Sequence, residues 1–95
     1  MTTYKLDFFA DAKKEWDKLG HPVREQFRKK LIERLRHPHV PSAKLSGMDN
    51  CYKIKLRTAG YRLVYQIEDD VLVVAVITVG KRERGDVYRV AARRI

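Results

Sequence analysis

The sequence predicts an α+β fold in the order β-α-α-β-β-β-α: a small antiparallel sheet, an N-terminal two-helix hairpin packed on one of its faces, and a short, mobile C-terminal helix. Three observations carry this expectation. Cys51-Tyr52-Lys53-Ile54-Lys55-Leu56-Arg57 and Tyr61-Arg62-Leu63-Val64-Tyr65 alternate charged and apolar residues with a period of two, the mark of strands with one buried face. Between Asp11 and Arg36 the apolar residues recur at three and four residues, the spacing of helices. Val71 to Val79 is almost continuously apolar, as in a strand covered on both sides, which places it at the centre of the sheet.

Each element has a local reason. Tyr4, Leu6 and Phe8 alternate with Lys5 and Asp7 and give a first strand. From Asp11 the period changes, with Ala12, Trp16 and Leu19 at helical spacing, and Gly20 offers a left-handed residue to stop a short helix. His21-Pro22 starts a second helix, since the missing proline N–H costs nothing in a first turn. Its stripe is Val23, Phe27, Leu31 and Leu35, widened by Ile32, while Arg24, Arg28, Lys29 and Arg36 point elsewhere; Pro38 and Pro41 end it. With only a few residues between them, the helices are expected to form an antiparallel hairpin lying on the sheet. A polar loop from Ser42 to Asn50 leads into the cationic strand, Thr58-Ala59-Gly60 turns it into its partner, and Glu68-Asp69-Asp70 makes the next turn. Asp86 can cap the last helix, whose Val87, Tyr88, Val90 and Ala91 are interleaved with Arg89, Arg93 and Arg94. That helix is too short to hold well in isolation, hence the expectation of a mobile tail.

The 95 residues suffice for one domain, 1–95, with a modest core, the apolar share being 44%. Lys and Arg number 21 against 12 Asp and Glu, a net charge of +9. With a pI near 9.9, this balance steers the molecule toward nucleic-acid phosphate or an acidic partner. Solubility is the blander reason for charge, but negative charge serves it as well. Cys51 is the single cysteine, which excludes an internal disulfide and a multi-cysteine zinc site; it reads as a small buried hydrophobe. Met1 to Asp7 lacks the apolar core of a signal peptide, and Val71 to Ile77 is far short of the ~20 residues of a membrane helix. The expectation is a soluble, cytoplasmic protein with no membrane partner.

Tyr52, Ile54 and Leu56 enter the core, so Lys53 and Lys55 share the opposite face, about 7 Å apart at ~3.3 Å rise per residue. Arg57 continues the row, Arg62 on the neighbouring strand can project to the same face, and no carboxylate interrupts it. Mutual repulsion favours the neutral form of a lysine and moves its pKa down from ~10.4 toward the range of a proton acceptor. Arg82 follows the central strand and Tyr88 lies just beyond; a chain reversal brings both over this face, where tyrosine can stack on a base. These parts suit RNA cleavage by a ribose 2′-hydroxyl attacking its own phosphate. The reaction needs a proton acceptor, positive charge on the phosphorane oxygens and help for the departing oxygen, with no obligatory metal or other cofactor. Without that chemistry, the same residues are solvated charges on an open sheet face and Tyr88 is a packed side chain. His21, His37 and His39 sit at helix boundaries beside prolines, without metal-ligand spacing, and read as capping or solvated residues.

At Cys51 to Arg57, Gly60-Tyr61-Arg62-Leu63-Val64-Tyr65 and Val79-Gly80-Lys81-Arg82-Glu83-Arg84, with Val87-Tyr88 after it, the chain closely resembles the RelE toxins of bacterial toxin-antitoxin pairs. The resemblance covers nearly the whole length, including Lys14-Glu15-Trp16 with Lys18-Leu19-Gly20, and Val23-Arg24-Glu25-Gln26. It implies an mRNA interferase that enters the A site of the 70S ribosome, cuts the exposed codon and leaves a 2′,3′-cyclic phosphate and a 5′-hydroxyl. The family's functional residues fall on Lys53, Lys55, Arg62, Arg82 and Tyr88. By that resemblance Lys55 is the general base, Lys53 and Arg62 stabilise the phosphorane, Tyr88 orients the nucleotide by stacking, and Arg82 serves the leaving-group side. A guanidinium with pKa above ~12 is a poor proton donor, so the role of Arg82 is electrostatic first. RNA contacts are expected to extend to Lys44, Arg57 and Arg84. RelE toxins can carry a basic residue after the Lys-Leu pair in the preceding loop; Ser46 stands here, and one ribosome or RNA contact is expected to be weaker. The resemblance also implies a RelB-like antitoxin that wraps the toxin, displaces its last helix and carries the pair to operator DNA.

Two other readings stay open on these residues. A ParE-like toxin shares this fold but poisons DNA gyrase without nuclease chemistry, and such proteins generally lack the lysine pair with Arg62, Arg82 and Tyr88. A noncatalytic basic RNA-binding module would tolerate Lys-to-Arg exchange; a base at Lys55 would not, because arginine stays charged.

Overall fold

Four strands form one sheet in the spatial order β1-β4-β3-β2, with β1 at Lys5–Phe8, β2 at Cys51–Leu56, β3 at Tyr61–Glu68 and β4 at Val73–Lys81. The computed structural model describes residues 3–81 and 86–95. Helices α1 (Ala10–Asp17) and α2 (His21–Arg36) follow β1, and α3 (Asp86–Arg94) closes the chain, so the element order is the one the sequence predicts. The sheet differs in one pairing. β2–β3 and β3–β4 are antiparallel, because short turns join them, whereas β1 runs parallel to β4 and makes the sheet mixed. Between β1 and β4 lie two helices and two strands, a connection long enough to return in either direction.

The alternation read in β2 is the alternation found: Tyr52, Ile54 and Leu56 are buried on one side, with Leu63, Tyr65 and Ile67 of β3 beside them. Ala12, Trp16, Leu19, Phe27 and Leu31 cover this face. α1 lies on β4 and α2 on β2; the helices meet through the Trp16 and Phe27 rings, whose centroids are 6.5 Å apart. Three local expectations are corrected. Gly20 has φ −62° and serves as the extended N-cap of α2 rather than a left-handed stop. Ile32, 49% exposed, stays out of the core and lines an open apolar groove with Leu6 and Leu35. The central strand starts at Val73, since Val71 is exposed and Leu72 turns at φ +56°, with its carbonyl accepting from Lys5 N–H.

The opposite face carries a smaller apolar cluster in which Val87 and Ala91 of α3 pack on Cys51, Val64 and Ile77. The helix that would barely hold alone is thus docked through two buried side chains. Beyond Phe8 the sheet narrows: Phe9 N–H donates to the Val76 carbonyl, and Ile77 to Val79 have no β1 neighbour. A bulge also falls there, since Val64 faces Thr78 while Tyr65 faces Val76. Among the described residues no helix is long and apolar enough to cross a membrane.

Candidate functional site

The β2–β3 register sets the cations in place. Lys55 stands directly opposite Arg62, and Lys53, two residues earlier, projects to the same face beside Val64. Gly60, at φ +70°, closes the turn between the strands, and its N–H donates to the Leu56 carbonyl at 2.8 Å. On its other side Arg62 is in register with Gly80, whose lack of a side chain leaves room for α3 to approach. A Cβ at Gly80 would lie 3.8 Å from Val87 Cγ2, so little more than a methyl group would fit.

Through that approach α3 brings Tyr88, expected over this face from the sequence, to Arg62. Arg62 Nη1 donates to the Tyr88 hydroxyl at 3.0 Å, and the guanidinium carbon lies 5.5 Å from the ring centroid. The contact fixes both side chains and keeps the phenol close to the row. Two recesses flank it, one of about 410 Å³ holding Lys55, Arg57 and Arg62, the other of about 340 Å³ holding Arg34, Lys53, Lys55 and Arg57. Among the described residues no carboxylate lines either recess. Such a surface concentrates positive potential where a polyphosphate chain can lie in either recess and span both.

The structure does not bring every candidate together. Lys44 bridges to Tyr52, which puts it on the other side of the pleat from Lys53, in a separate recess with Ser46. Arg82 and Arg84 lie outside the described residues. The histidines stand apart from the cation row: His21 opens α2, His37 caps its end, and His39 lies 3.1 Å from the Asp69 carboxylate, which also accepts from the Tyr4 hydroxyl. Cys51 is fully buried; burial pushes its thiol up to about 11, with the charge of Asp49 adding to it, so it is no nucleophile. Among the described residues no His, Cys, Asp and Glu cluster could hold a metal ion.

Two supports escaped the sequence reading. Arg34 donates to the Lys53 carbonyl at 3.2 Å and to the Tyr65 hydroxyl at 2.8 Å, tying α2 to the outer edge of β2. Its position three residues after Leu31 and seven after Phe27 puts a cation on the inward stripe, a signal that it needs a buried acceptor. The second is Glu15 with Arg94. Glu15 Oε1 accepts from Thr78 Oγ1 at 2.9 Å, from Val79 N–H at 3.3 Å and from Arg94 Nη1 at 2.9 Å, and Oε2 accepts from Arg94 Nη2 at 3.1 Å. Burial pushes this carboxyl up, but the hydrogen bonds from Arg94, Thr78 and Val79 outweigh it and hold the pKa below the ordinary 4.5. Separated by most of the chain, the pair leaves no periodic signal in sequence.

Fold and site define a class: a basic α+β fold that presents cations on a sheet face and closes one end of it with a helix. Comparison with known proteins narrows that class. Residues 6–85 match the family described as ParE toxin of type II toxin-antitoxin system, parDE. The chain is 60% identical over 92 residues to the mRNA interferase toxin RelE of Escherichia coli strain K12, and equally to the mRNA interferase RelE of Shigella flexneri, with 97% of each chain covered. A free-state structure of an arginine-to-alanine double mutant of E. coli RelE superposes with a TM-score of 0.91 at 57% identity, covering 98% of both chains. In the intact E. coli RelBE toxin-antitoxin complex the match has a TM-score of 0.82 at 60% identity, covering 85% of this chain and 99% of that one. The chain belongs to the RelE/ParE toxin family, on its RelE side.

Proposed function

We propose that this chain is the toxin of a type II toxin-antitoxin pair and acts in the cytoplasm as a ribosome-dependent mRNA endoribonuclease. The observation that supports it most is the register that sets Lys55 opposite Arg62, with Lys53 alongside and the Tyr88 hydroxyl bonded to Arg62. Lys55 takes the proton of a ribose 2′-hydroxyl as its oxygen attacks the adjacent phosphorus. The new 2′-O–P bond forms while the P–O5′ bond breaks, and the departing 5′-oxygen takes a proton from solvent water, leaving a 2′,3′-cyclic phosphate and a 5′-hydroxyl. Lys53 and Arg62 stabilise the charge on the phosphorane oxygens, Tyr88 orients the nucleotide by stacking, and Arg82 supplies charge at the leaving-group side. No metal is assigned a step. Arg57 tracks the backbone of the same strand; Lys44 and Arg84 would contact RNA outside the cleaved linkage. The ribosome supplies the attack geometry by holding a codon in its A site, so free mRNA should be cut slowly.

A RelB-like antitoxin would neutralise the toxin by wrapping it and lifting α3, which removes Tyr88 from Arg62, and would carry the pair to operator DNA. The test adds the purified protein to translating ribosomes and maps mRNA 5′ ends, with Lys55→Ala, Lys55→Arg and Tyr88→Ala beside wild type. Expected are A-site cuts for wild type, and about 10²- to 10⁴-fold slower single-turnover cleavage for both Lys55 variants, as for loss of a general base. Unimpaired Lys55→Arg would leave only a cationic grip. The family description also carries the ParE name, so inhibition of gyrase supercoiling is measured in parallel. Supercoiling inhibition without mRNA cuts would replace the nuclease reading.

A further inference from the structure

We infer that the Glu15–Arg94 pair is a clasp that fastens the far end of α3 and thereby sets the position of Tyr88; the inference rests on the nuclease reading for its effect on cleavage, not for its effect on the helix. β4 loses its β1 neighbour after Val76, exposing the edge of Ile77 to Val79. Glu15 and Arg94 fill that gap together. The carboxylate takes the Val79 N–H and the Thr78 hydroxyl, and Arg94 Nη1 donates to the Ile77 carbonyl at 2.7 Å. The guanidinium meets the carboxylate through both of its terminal nitrogens, the two-pronged geometry that lysine cannot reproduce. Both side chains are largely shielded, with 21% of Arg94 and 32% of Glu15 exposed, so the pair is screened less than a surface one.

The clasp matters because α3 has so little else. Val87 and Ala91 are buried, Tyr88 near its start touches Arg62, and Arg94 closes its last turn. A nine-residue helix does not persist on its own, so each attachment governs how long it stays docked. Arg94 touches neither the recesses nor the cation row and acts as a positioning residue, through Tyr88. Neighbouring Arg93 carries the same charge on the same turn, is exposed and has no hydrogen bond or ion pair among the described residues, which makes it a matched control.

The experiment pairs two measurements on Arg94→Ala, Arg94→Lys, Glu15→Gln and Arg93→Ala. Native-state amide exchange should accelerate about tenfold or more across 88–94 in the first three, with β3 and β4 amides within about twofold of wild type and Arg93→Ala unchanged. Single-turnover cleavage on ribosomes should fall for Arg94→Ala, and that fall should vanish when Arg94→Ala is combined with Tyr88→Ala, because both act through one side chain. Unchanged α3 protection would overturn the clasp while leaving the nuclease reading intact. An equal cleavage loss with and without Tyr88 would overturn its positioning role. A wild type that does not cut RNA would sink the nuclease reading, and the exchange data would still decide the clasp.

Discussion

The same three strands present two unlike faces. Toward α1 and α2 they carry aromatic and aliphatic residues, among them Tyr52 and Tyr65 stacked at 5.7 Å, sealed by Trp16, Phe27 and Leu31. Toward α3 they carry Lys53, Lys55 and Arg62 beside a small cluster around Val64 and Ile77. One face has apolar area to spare and the other sets like charges opposite one another, an arrangement that weakens strand pairing by a few tenths of a kcal/mol or more per pair. The deep core on one side is what allows the cations to be held on the other. Rigidity and charge are thereby separated by the pleat, residue by residue along β2.

The largest effects should fall on the apolar face. Phe27→Ala empties a fully buried site and is expected to cost about 3–5 kcal/mol in denaturant unfolding. Val87→Ala, on α3, should cost about 1–2 kcal/mol, since fewer atoms leave a smaller cluster. Equal losses at the two positions would mean that the two faces share one core.

A smaller effect separates charge from fold. Lys53 is half-buried in the row with Lys55, and its backbone carbonyl rather than its side chain holds Arg34. Lys53→Ala should therefore change unfolding free energy by no more than about 0.5 kcal/mol, in the stabilising direction at low salt, while cleavage falls. A large loss of stability would show that the cation is part of the structure and not held at its expense.

What the sequence made legible follows the same division. β2 and β3 could be read nearly residue by residue, because an exposed cation alternating with a buried apolar residue is a period-two signal that burial then enforces, as at Lys53, Ile54 and Lys55. Element order and the arrival of Tyr88 near Arg62 followed from the same pattern and the length of the connections. The parallel direction of β1 did not, since its alternation is the same whichever way it runs. Ile32 fits the helical period yet lies beyond the edge of the sheet, so pattern without area overstated the core. The base role proposed for Lys55 rests on a family resemblance, because spacing alone cannot tell a grip from a base. Glu15 and Arg94 were invisible for another reason: their partnership exists only where β1 stops short of the end of β4, a fact of tertiary arrangement.

The most delicate way to sharpen the contrast between the faces is pH. Glu15 has a folded-state pKa below the ordinary 4.5, so its bonds contribute stability above the unfolded-state pKa, and that contribution is lost as pH falls through the lowered folded value. Arg94 stays charged throughout, with Asp11 the other carboxylate whose charge acts on it, while Thr78 and the Val79 N–H do not titrate. Acid should therefore loosen α3 before it loosens the strands beneath, because among the described residues no carboxylate is buried in the apolar face. Amide exchange followed downward from pH 7, corrected for intrinsic rates, should show 88–94 losing protection ahead of β3 and β4. In Glu15→Gln the helix should start less protected and lose little more. A helix in that variant that still opens over the wild-type pH range would place the acid-sensitive contact elsewhere, and α3 would then be fastened chiefly by Val87 and Ala91.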